Sequence, residues 1–325
     1  MSDTYKKPAK RDASQSVVDL SKLVAIEIKT GLLKENASLS PKFFYDTLGS
    51  ILFEAICELP EYYPTRTEAE IFSQYLPEMA RRIGTGATLI DLGAGNCAKA
   101  AKLFPLLHPE QYVPIDISAE HMRDYVKRLQ ERFPHIEMTP LERDFSAQWQ
   151  LPEEVRSSKR VFFYPGSSIG NFDPDQALVF LRQMRAACSE DGGILIGVDL
   201  IKEVGLLNTA YDDALGVTAA FNLNMLRHVN RIIGADFDVR AWSHKAFFNP
   251  TLSRIEMHLE ARTDVIVRWP GGMRHFKQGE GIHTENSYKY SVEKMTQFLK
   301  TAGFGNARAW TDEKNWFAVI YAEAV

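Results

Sequence analysis

Hydrophobic and polar positions along this chain follow two periods, which separate helical stretches from strands. Apolar residues recur at helical spacing over 16–30 and again over 41–59, where Pro60 ends the pattern. Residues 61–68 are predicted to form a loop that leads into another helix. Short apolar runs then alternate with helical stretches, near residues 88–92, 112–117, 137–143, 160–164 and 193–199. This alternation predicts a doubly wound, mostly parallel α/β sheet.

The regular alternation stops after residue 200. Residues 201 to about 290 are too many for one crossover between strands, so we expect an insertion there. The elements predicted in the insertion and after it are helices over 206–221, 222–233 and 291–302, and strands over 238–248, 254–263, 264–269 and 316–324. The last helix and strand return to the core.

These patterns predict two domains and a tail. Residues 67–200 and 291–325 are expected to form the cofactor-binding domain, and 16–66 with 201–290 a second, α+β substrate-binding domain that acts as a lid. Insertions at the carboxyl edge of such a sheet lie where ligands bind. Residues 1–15 are polar and lack the apolar segment of a signal peptide, so we expect a disordered tail.

The most informative stretch is the turn after the first strand of the sheet. Residues 88–96 read TLIDLGAGN, so a short apolar run carries Asp91 and then turns through Gly93 and Gly95. Glycine lets the backbone approach a bulky ligand because it has no Cβ. Asp116 ends the next strand, about 20 residues past the turn, where an acid can accept hydrogen bonds from both ribose hydroxyls. Together these features predict a site for an adenosine-containing cofactor.

The acid before the turn favours one such cofactor. The glycines alone do not exclude NAD, but the carboxylate of Asp91 would repel a pyrophosphate. A cationic sulfonium with a free amino group is compatible with it, which favours S-adenosylmethionine (SAM). A third strand end supports this interpretation, because Asp144 can accept from the adenine amine while Phe145 lines the ring.

Composition narrows the classes of partner. The 325 residues are 45% hydrophobic and 25% charged, as in a globular protein of one large or two smaller domains. The net charge of −4 argues against nucleic acid, and no apolar run is long enough to cross a bilayer. Scattered Cys57, Cys97 and Cys188 indicate a reducing compartment, and the eight histidines lack metal-ligand spacing. We expect a cytoplasmic monomer without metal, nucleic-acid or membrane partners.

Longer motifs resemble the histidine-specific SAM-dependent methyltransferases. That family makes the trimethylated betaine of L-histidine, hercynine, on the way to ergothioneine. The motifs that carry the resemblance are FYDTLGS at 44–50, LPEYYPTRTE at 59–68, GSSIGN at 166–171, AYDDA at 210–214, GVTAAFN at 216–222 and RIEM at 254–257. The resemblance runs from about residue 16 to 325 and implies a Rossmann-like class I methyltransferase fold with a second, substrate-binding domain.

The resemblance also implies a role for each matching residue. SAM would be bound by Tyr45, Gly93, Lys99, Asp116, Asp144 and Phe145. The substrate would be bound by Tyr62, Asn171 and Tyr211 at its amino-acid backbone, by Glu285 and Ser287 at its imidazole ring, and by Met257 in the pocket wall.

The chemistry of methyl transfer agrees with these roles. The nitrogen lone pair, methyl carbon and sulfonium must align, so catalysis is chiefly positioning, and we assign no general base. Glu285 can accept a ring N–H while Ser287 serves the other nitrogen. Two alternatives stay open at this stage. The substrate could be another amino acid, such as tryptophan, or a histidine derivative, and the chain could be a non-catalytic SAM-binding module.

Overall fold

Helices and strands alternate through most of the chain in the computed structural model, which describes residues 13–117, 119–144 and 150–325. The helices are α1 (Ala13–Leu33), α2 (Thr47–Cys57), α3 (Tyr63–Ile83), α4 (Ala98–Ala101), α5 (Phe104–Leu107), α6 (Ala119–Arg132), α7 (Pro174–Ala187), α8 (Val204–Tyr211), α9 (Val217–Ile233) and α10 (Val292–Ala302). Short 3-10 turns cover Pro41–Phe44, Ser168–Asn171 and Val239–Ala241. None of the helices within the described ranges is both long enough and apolar enough to cross a bilayer.

The strands belong to three sheets. They are β1 (Ala37–Ser38), β2 (Thr88–Leu92), β3 (Gln111–Asp116), β4 (Glu137–Met138), β5 (Leu141–Glu142), β6 (Arg160–Tyr164), β7 (Gly193–Asp199), β8 (Trp242–Asn249), β9 (Arg254–Ala261), β10 (Val265–Trp269), β11 (Gly272–Phe276), β12 (Gly281–Tyr288), β13 (Phe304–Thr311) and β14 (Phe317–Ala324). β10 and β11 pair only with each other in a two-stranded sheet.

The largest sheet has eight strands in the order β13-β14-β7-β6-β2-β3-β4, with β5 also paired to β3. Six strands are parallel to one another: β2, β3, β4, β5, β6 and β7. β14 is antiparallel to both of its neighbours, β7 and β13. Successive residues of β2 enter different cores: Leu89 packs on the side of α3, α5 and α6, and Ile90 on the side of α7 and α10. Helices therefore cover both faces, and the predicted doubly wound α/β sheet is confirmed. The carboxyl ends of β2 and β6 lie side by side where the strand order reverses, a common place for ligands.

A four-stranded sheet in the order β1-β12-β9-β8 supports a separate hydrophobic core. Residues from 28–63 and from 207–282 share this core, and Phe44 stacks on Phe221 within it, with ring centroids 4.5 Å apart. Two segments far apart in the chain therefore pack together beside the large sheet.

Polar caps explain two wrong helix boundaries. The helix predicted over 41–59 is interrupted because Asp46 caps α2, accepting a hydrogen bond from the Gly49 N–H at 2.7 Å. The predicted break between residues 221 and 222 lies instead before α9. There the Asp213 carboxylate accepts from the N–H groups of Val217 and Thr218, at 3.0 and 2.7 Å.

Other predictions were wrong because the local pattern is weak. Most of the loop predicted over 61–68 is helix, since α3 begins at Tyr63 and holds Pro64 in its first turn, where a missing N–H costs nothing. β11, β12 and β13 have no counterpart among the predicted strands. β12 reads GIHTENSY, which carries too few apolar residues to look like a strand, although it lies inside the sheet.

Asp46→Ala should lower the free energy of unfolding by about 2 kcal/mol, because it removes the α2 cap and bonds donated from α9 by Asn224 and Arg231. Asp238→Ala is the matched control, since Asp238 also caps a turn but its side chain is 55% exposed. The control should lose about 0.5 kcal/mol or less. Urea unfolding measures both, and equal losses would contradict a role for Asp46 in joining α2 to α9.

Candidate active site

The glycine turn after β2 meets the end of β3, as the sequence predicts. Gly93 and Gly95 have φ angles of 73° and 51°, in the left-handed region that favours glycine. The Gly93 N–H donates to the carbonyl of Ile115, and the Gly95 N–H donates to the Asp116 carboxylate, both at 2.9 Å. A Cβ added to Gly95 would meet nothing within 4 Å, so the space beside the turn is open. The turn therefore brings Gly93 and Gly95 together with Asp116, the arrangement that the sequence analysis predicts for a cofactor site.

Asp91 lies beneath this turn and is only 2% exposed. Its carboxylate accepts a hydrogen bond from the Tyr112 hydroxyl at 2.7 Å. Burial raises the pKa of Asp91 to about 7, although the bond from Tyr112 opposes that shift. Asp91 therefore presents little of its carboxylate to a ligand, which differs from the expectation that its charge would face the cofactor.

Lys99 is held by a buried glutamate that the sequence analysis missed. Glu68, in α3, is 1% exposed and accepts from Lys99 Nζ at 2.5 Å and from the Gly166 N–H at 2.7 Å. Gly197 of β7 makes room for it, since an added Cβ there would lie 2.3 Å from Glu68 Oε1. Glu68 thus ties α3 to Lys99 and to the loop after β6. Its place in the motif at 59–68 was the available signal.

Asp144 lies where the segment before α2 meets the edge of the large sheet. Lys42 Nζ donates to Asp144 at 3.0 Å and to Glu27 at 2.7 Å. Burial lowers the pKa of Lys42, but these two carboxylates more than offset it, so the net shift is upward. Phe145, the other residue predicted at the adenine, lies outside the described residues.

All six predicted substrate residues line one pocket. They are Tyr62, Asn171, Tyr211, Met257, Glu285 and Ser287, and Tyr45 joins them. Phe53, Ile56 and Phe221 add an apolar wall, and Gly166 forms part of the rim. A Cβ added to Gly166 would lie 3.4 Å from Lys99 Nζ, so the pocket borders the cofactor side of the sheet. The structure therefore brings together residues from α2, α8, α9, β9, β12, the loop after β6 and the segments that precede α2 and α3.

A β-bulge decides which face of β12 enters the pocket. His283 pairs with His258 of β9, but Glu285, only two residues on, pairs with Met257. Directly paired residues point to the same face, so His283 and Glu285 point to opposite faces despite their spacing of two. The extra residue in the bulge thereby turns Glu285, and Ser287 after it, towards Met257 and the pocket.

Asn171 is positioned by close packing of its loop on β12. It ends the 3-10 turn after β6, and a Cβ added to Gly170 in that turn would lie 2.9 Å from the carbonyl oxygen of Tyr288. Only glycine allows this approach. Within the described residues, no protein group forms a hydrogen bond with the Asn171 side chain, which lines the pocket. Its amide is therefore available to a ligand.

Glu285 carries the only carboxylate among the described residues that line the pocket. Burial raises its pKa to about 7, and the nearby Lys289 ammonium opposes the shift. No described residue donates a hydrogen bond to this carboxylate. Glu285 can therefore accept an N–H from a ligand.

The phenols of the pocket are neutral. Burial raises the pKa values of Tyr45 and Tyr62 well above the ordinary value of a phenol. The ring of Tyr62 packs edge-on against Tyr211 with centroids 6.1 Å apart. Neither Tyr45 nor Tyr62 can serve as an ionised base at neutral pH, so both offer neutral hydrogen-bonding groups.

Behind the pocket, a buried lysine contacts two of the predicted residues. Lys289 is 1% exposed, and its Nζ donates to Ser287 Oγ at 2.7 Å, to the Tyr211 hydroxyl at 3.0 Å and to Asp199 at 2.7 Å. The hydroxyls of Tyr211 and Ser287 lie 2.7 Å apart. Sequence analysis missed Lys289. The signal was the spacing of two from Glu285 through Ser287 to Lys289, which places all three on one face of a strand.

Asp199, at the end of β7, is the common acceptor of this buried network. It also accepts from Lys202 at 2.5 Å and from the Tyr63 hydroxyl at 2.8 Å. Burial would raise the pKa of Asp199, but the ammonium groups of Lys289 and Lys202 lower it below its ordinary value. The carboxylate therefore stays ionised and holds Lys289 in place.

Another polar cluster, formed by Glu256, His258 and His283, lies on the opposite face of the four-stranded sheet, with its possible ligand atoms within 4.8 Å of one another. The Glu256 carboxylate already accepts from Arg254 at 2.9 Å and from Asn249 and His258, both at 3.0 Å. A guanidinium beside the carboxylate disfavours a cation there. We assign no metal to this cluster, and the absence of a resident metal stays a prediction.

Comparison with known proteins finds one family model and several relatives that match most of this chain. A family model described as histidine-specific methyltransferase, SAM-dependent, matches residues 24–324, which include every residue of the pocket. A protein of Mycolicibacterium smegmatis named histidine N-alpha-methyltransferase is 37% identical over 91% of this chain and 93% of its own length. The protein of that name from Mycobacterium tuberculosis is 38% identical with the same coverage. Ergothioneine biosynthesis protein 1 of Neurospora crassa is 29% identical over 92% of this chain and 35% of its own length.

The raised pKa of Glu285 predicts a pH-dependent stability difference between the wild type and Glu285→Gln. Between about pH 4.5 and 7 the unfolded carboxyl has lost its proton while the folded one keeps it, so folding becomes less favourable as pH rises. The glutamine variant lacks this titration. The free energy of unfolding of the variant minus that of the wild type should therefore increase from about pH 4.5 to 7 and stay constant above pH 7. Urea unfolding at several pH values measures the difference, and a constant difference would contradict the raised pKa.

Proposed function

The chain belongs to the family of histidine-specific, SAM-dependent methyltransferases, and we propose that it trimethylates the α-amino nitrogen of L-histidine to give hercynine, a step of ergothioneine biosynthesis. The observation that carries this proposal is the pocket itself. A carboxyl group that receives no hydrogen bond from the described residues, Glu285, and a hydroxyl, Ser287, line the same cavity as the neutral groups of Tyr62 and Asn171, beside the strand ends that suit the cofactor.

The residues at the strand ends fit SAM, which supplies the methyl group on a sulfonium. Gly93 lets the backbone approach the cofactor, and Asp116 accepts hydrogen bonds from the ribose hydroxyls. Asp144 accepts from the adenine amine, once Lys42 shares or yields that carboxylate. Lys99 and Tyr45 lie at the boundary between the cofactor and the pocket, and Phe145 is proposed to line the adenine.

The amino-acid backbone of the substrate is held by neutral groups. An ammonium has no lone pair, so the attacking amine must be deprotonated, and a carboxylate beside it would raise its pKa. Asn171, Tyr62 and Tyr211 can bind the backbone without that effect, because their amide and phenols carry no charge. Alignment of the amine with the methyl group then accounts for most of the rate enhancement, and no residue is assigned as the proton acceptor.

The ring is recognised at the other end of the pocket. Glu285 accepts an imidazole N–H, Ser287 bonds the other nitrogen, and Met257 packs against the ring. A ligand without ring nitrogens would leave these polar groups unpaired, which is costly in a closed site. This arrangement supports histidine over phenylalanine.

The proposal includes a division of the chain and a cellular setting. SAM binding is assigned to 67–200 and 291–325, and substrate binding to 16–66 and 201–290, supported by the core that 28–63 and 207–282 share. Free Cys57, Cys97 and Cys188 support a reducing, cytoplasmic location. We propose a monomer, which size-exclusion chromatography tests.

Mass spectrometry of the product tests the proposed reaction. The protein incubated with L-histidine and methyl-labelled SAM should give histidine that carries one, two and three labelled methyl groups on the α-nitrogen. Tryptophan and phenylalanine in parallel reactions serve as controls and should stay unmethylated. Methylation of tryptophan alone would point to another amino acid as substrate, and SAM binding without any turnover would point to a non-catalytic module.

Asp116→Ala should weaken SAM binding roughly 10- to 150-fold, because a lost charged hydrogen bond is worth about 1.5–3 kcal/mol. Asp191→Ala is the matched control, since Asp191 is an acid that precedes β7 at the opposite end of the same sheet. Its change should leave the affinity unaltered. Calorimetry with SAM measures both, and unchanged binding by Asp116→Ala would remove Asp116 from the site.

A further inference from the structure

We propose that Lys289 is a positioning residue that makes the Tyr211–Ser287 pair present a hydrogen-bond donor, so that the site selects the neutral imidazole of histidine over the imidazolium. The inference rests on the proposed function. It adds the protonation state of the bound ring and the residue that determines it. Lys289 does not line the pocket, so it acts on the substrate only through Tyr211 and Ser287.

The hydrogens of the Lys289 ammonium are all committed. The group has three N–H donors, and it has three acceptors within hydrogen-bond distance: Asp199 at 2.7 Å, Ser287 at 2.7 Å and Tyr211 at 3.0 Å. The two hydroxyl oxygens must therefore both accept from Lys289. Asp199 keeps the lysine charged, since burial alone would lower the pKa of Lys289 and this carboxylate raises it above its ordinary value.

One hydroxyl hydrogen is then left for the pocket. Tyr211 and Ser287 are 2.7 Å apart, so one of their two hydrogens lies between them. Burial raises the pKa of Tyr211, which means that the phenol keeps its hydrogen. A phenol is the better donor, and an aliphatic hydroxyl has two lone pairs that can accept from both partners. Tyr211 therefore donates to Ser287, and the Ser287 O–H points into the pocket that it lines.

A ligand must match a donor at Ser287 and an acceptor at Glu285. With both lone pairs of Ser287 in use, its oxygen cannot accept from a ring N–H. Neutral imidazole has one N–H, for Glu285, and one bare nitrogen, for Ser287. An imidazolium has two N–H groups, and one of them would face the Ser287 hydrogen. The positive charge of Lys289 behind Ser287 disfavours the imidazolium further.

Several protein groups around the ring also titrate, so the experiment must separate their effect on affinity from protonation of the ligand itself. Glu285, Tyr62 and Tyr211 face the pocket, and Asp199, Lys202 and Tyr63 surround Lys289. The test therefore compares two ligands at each pH. One is L-histidine, and the other is 1,2,4-triazole-3-alanine, whose ring offers both an N–H and a bare nitrogen but stays neutral in mild acid. Titration of groups that do not touch the ring affects both ligands alike, so it cancels in the ratio of their dissociation constants. Glu285 contacts the ring and has a raised pKa, so the ratio is also measured in Glu285→Gln, which cannot titrate and in which the pH dependence reports protonation of the imidazole alone.

Calorimetry with the full chain saturated in S-adenosylhomocysteine measures binding without turnover. For the wild type, the dissociation constant of histidine relative to the triazole should rise about tenfold from pH 7.5 to 5.5, because an imidazole of pKa near 6.5 is then about 90% protonated. In Lys289→Met, Ser287 can accept from a ring N–H, and the tenfold rise should shrink to about threefold or less.

Lys202→Met is the matched control. Lys202 is also buried on Asp199, but it does not contact Tyr211 or Ser287, so this variant should keep the tenfold rise. If Lys289→Met does not fold, Asp199→Asn with Lys289→Met removes both charges of the pair and tests the same point. A ratio that does not change with pH in the wild type, or a tenfold rise that survives without Lys289, overturns the inference alone. Failure of the wild type to bind histidine at all would instead overturn the proposed function, and this inference with it.

Discussion

The arrangement of this protein depends on one buried carboxylate, Asp199, and the cations that surround it. Asp199 ends β7 of the large sheet, Tyr63 begins α3, and Lys289 directly follows β12. Removing such charges from water costs several kcal/mol for each ion, which only good geometry can offset. Here the geometry is close to complete, because the carboxylate oxygens accept from Lys289, Lys202 and Tyr63. The network thereby holds the end of β12, the strand that carries Glu285 and Ser287, against β7 of the large sheet.

Polar side chains of the pocket are placed by β12, the strand that the Asp199 network holds. β12 lies between β1 and β9, and its bulge turns Glu285 and Ser287 towards Met257. Gly170 packs its loop on the same strand and carries Asn171 to the opposite wall. The carboxyl group of Glu285 is thus available to the ring in the proposed complex, while the groups proposed to hold the amine are neutral. That distribution is what a methyl transfer to nitrogen needs, since the amine must lose its proton and the ring must be recognised.

The glycine turn after β2, where we propose that SAM binds, depends on backbone conformation and not on buried charges. There the backbone itself shapes the surface, because Gly93 and Gly95 lie in the left-handed region and the Gly95 N–H donates to the Asp116 carboxylate. Glu68 connects this side to the pocket, because it binds Lys99 and the Gly166 N–H at the rim. The pocket and the proposed cofactor site therefore meet at Lys99 and Gly166, which under the proposed function brings the donor methyl group and the acceptor nitrogen together.

The sequence alone determined the local features: the buried strand runs, the glycine turn with its acid-tipped neighbour, and motifs specific enough to name a family. The strand runs and the glycine turn follow from short-range rules, since hydrophobic period and glycine conformation depend on adjacent residues, whereas the family came from the resemblance of the longer motifs. Only the tertiary structure decided that β12 is a strand, that a bulge separates His283 from Glu285, and that Lys289 and Asp199 meet. The polar residues of β12 hide its strand character, and the bulge depends on pairing with β9. A buried ion pair between residues ninety positions apart in the chain has no local signature, because its stability comes from desolvation and packing that exist only after folding.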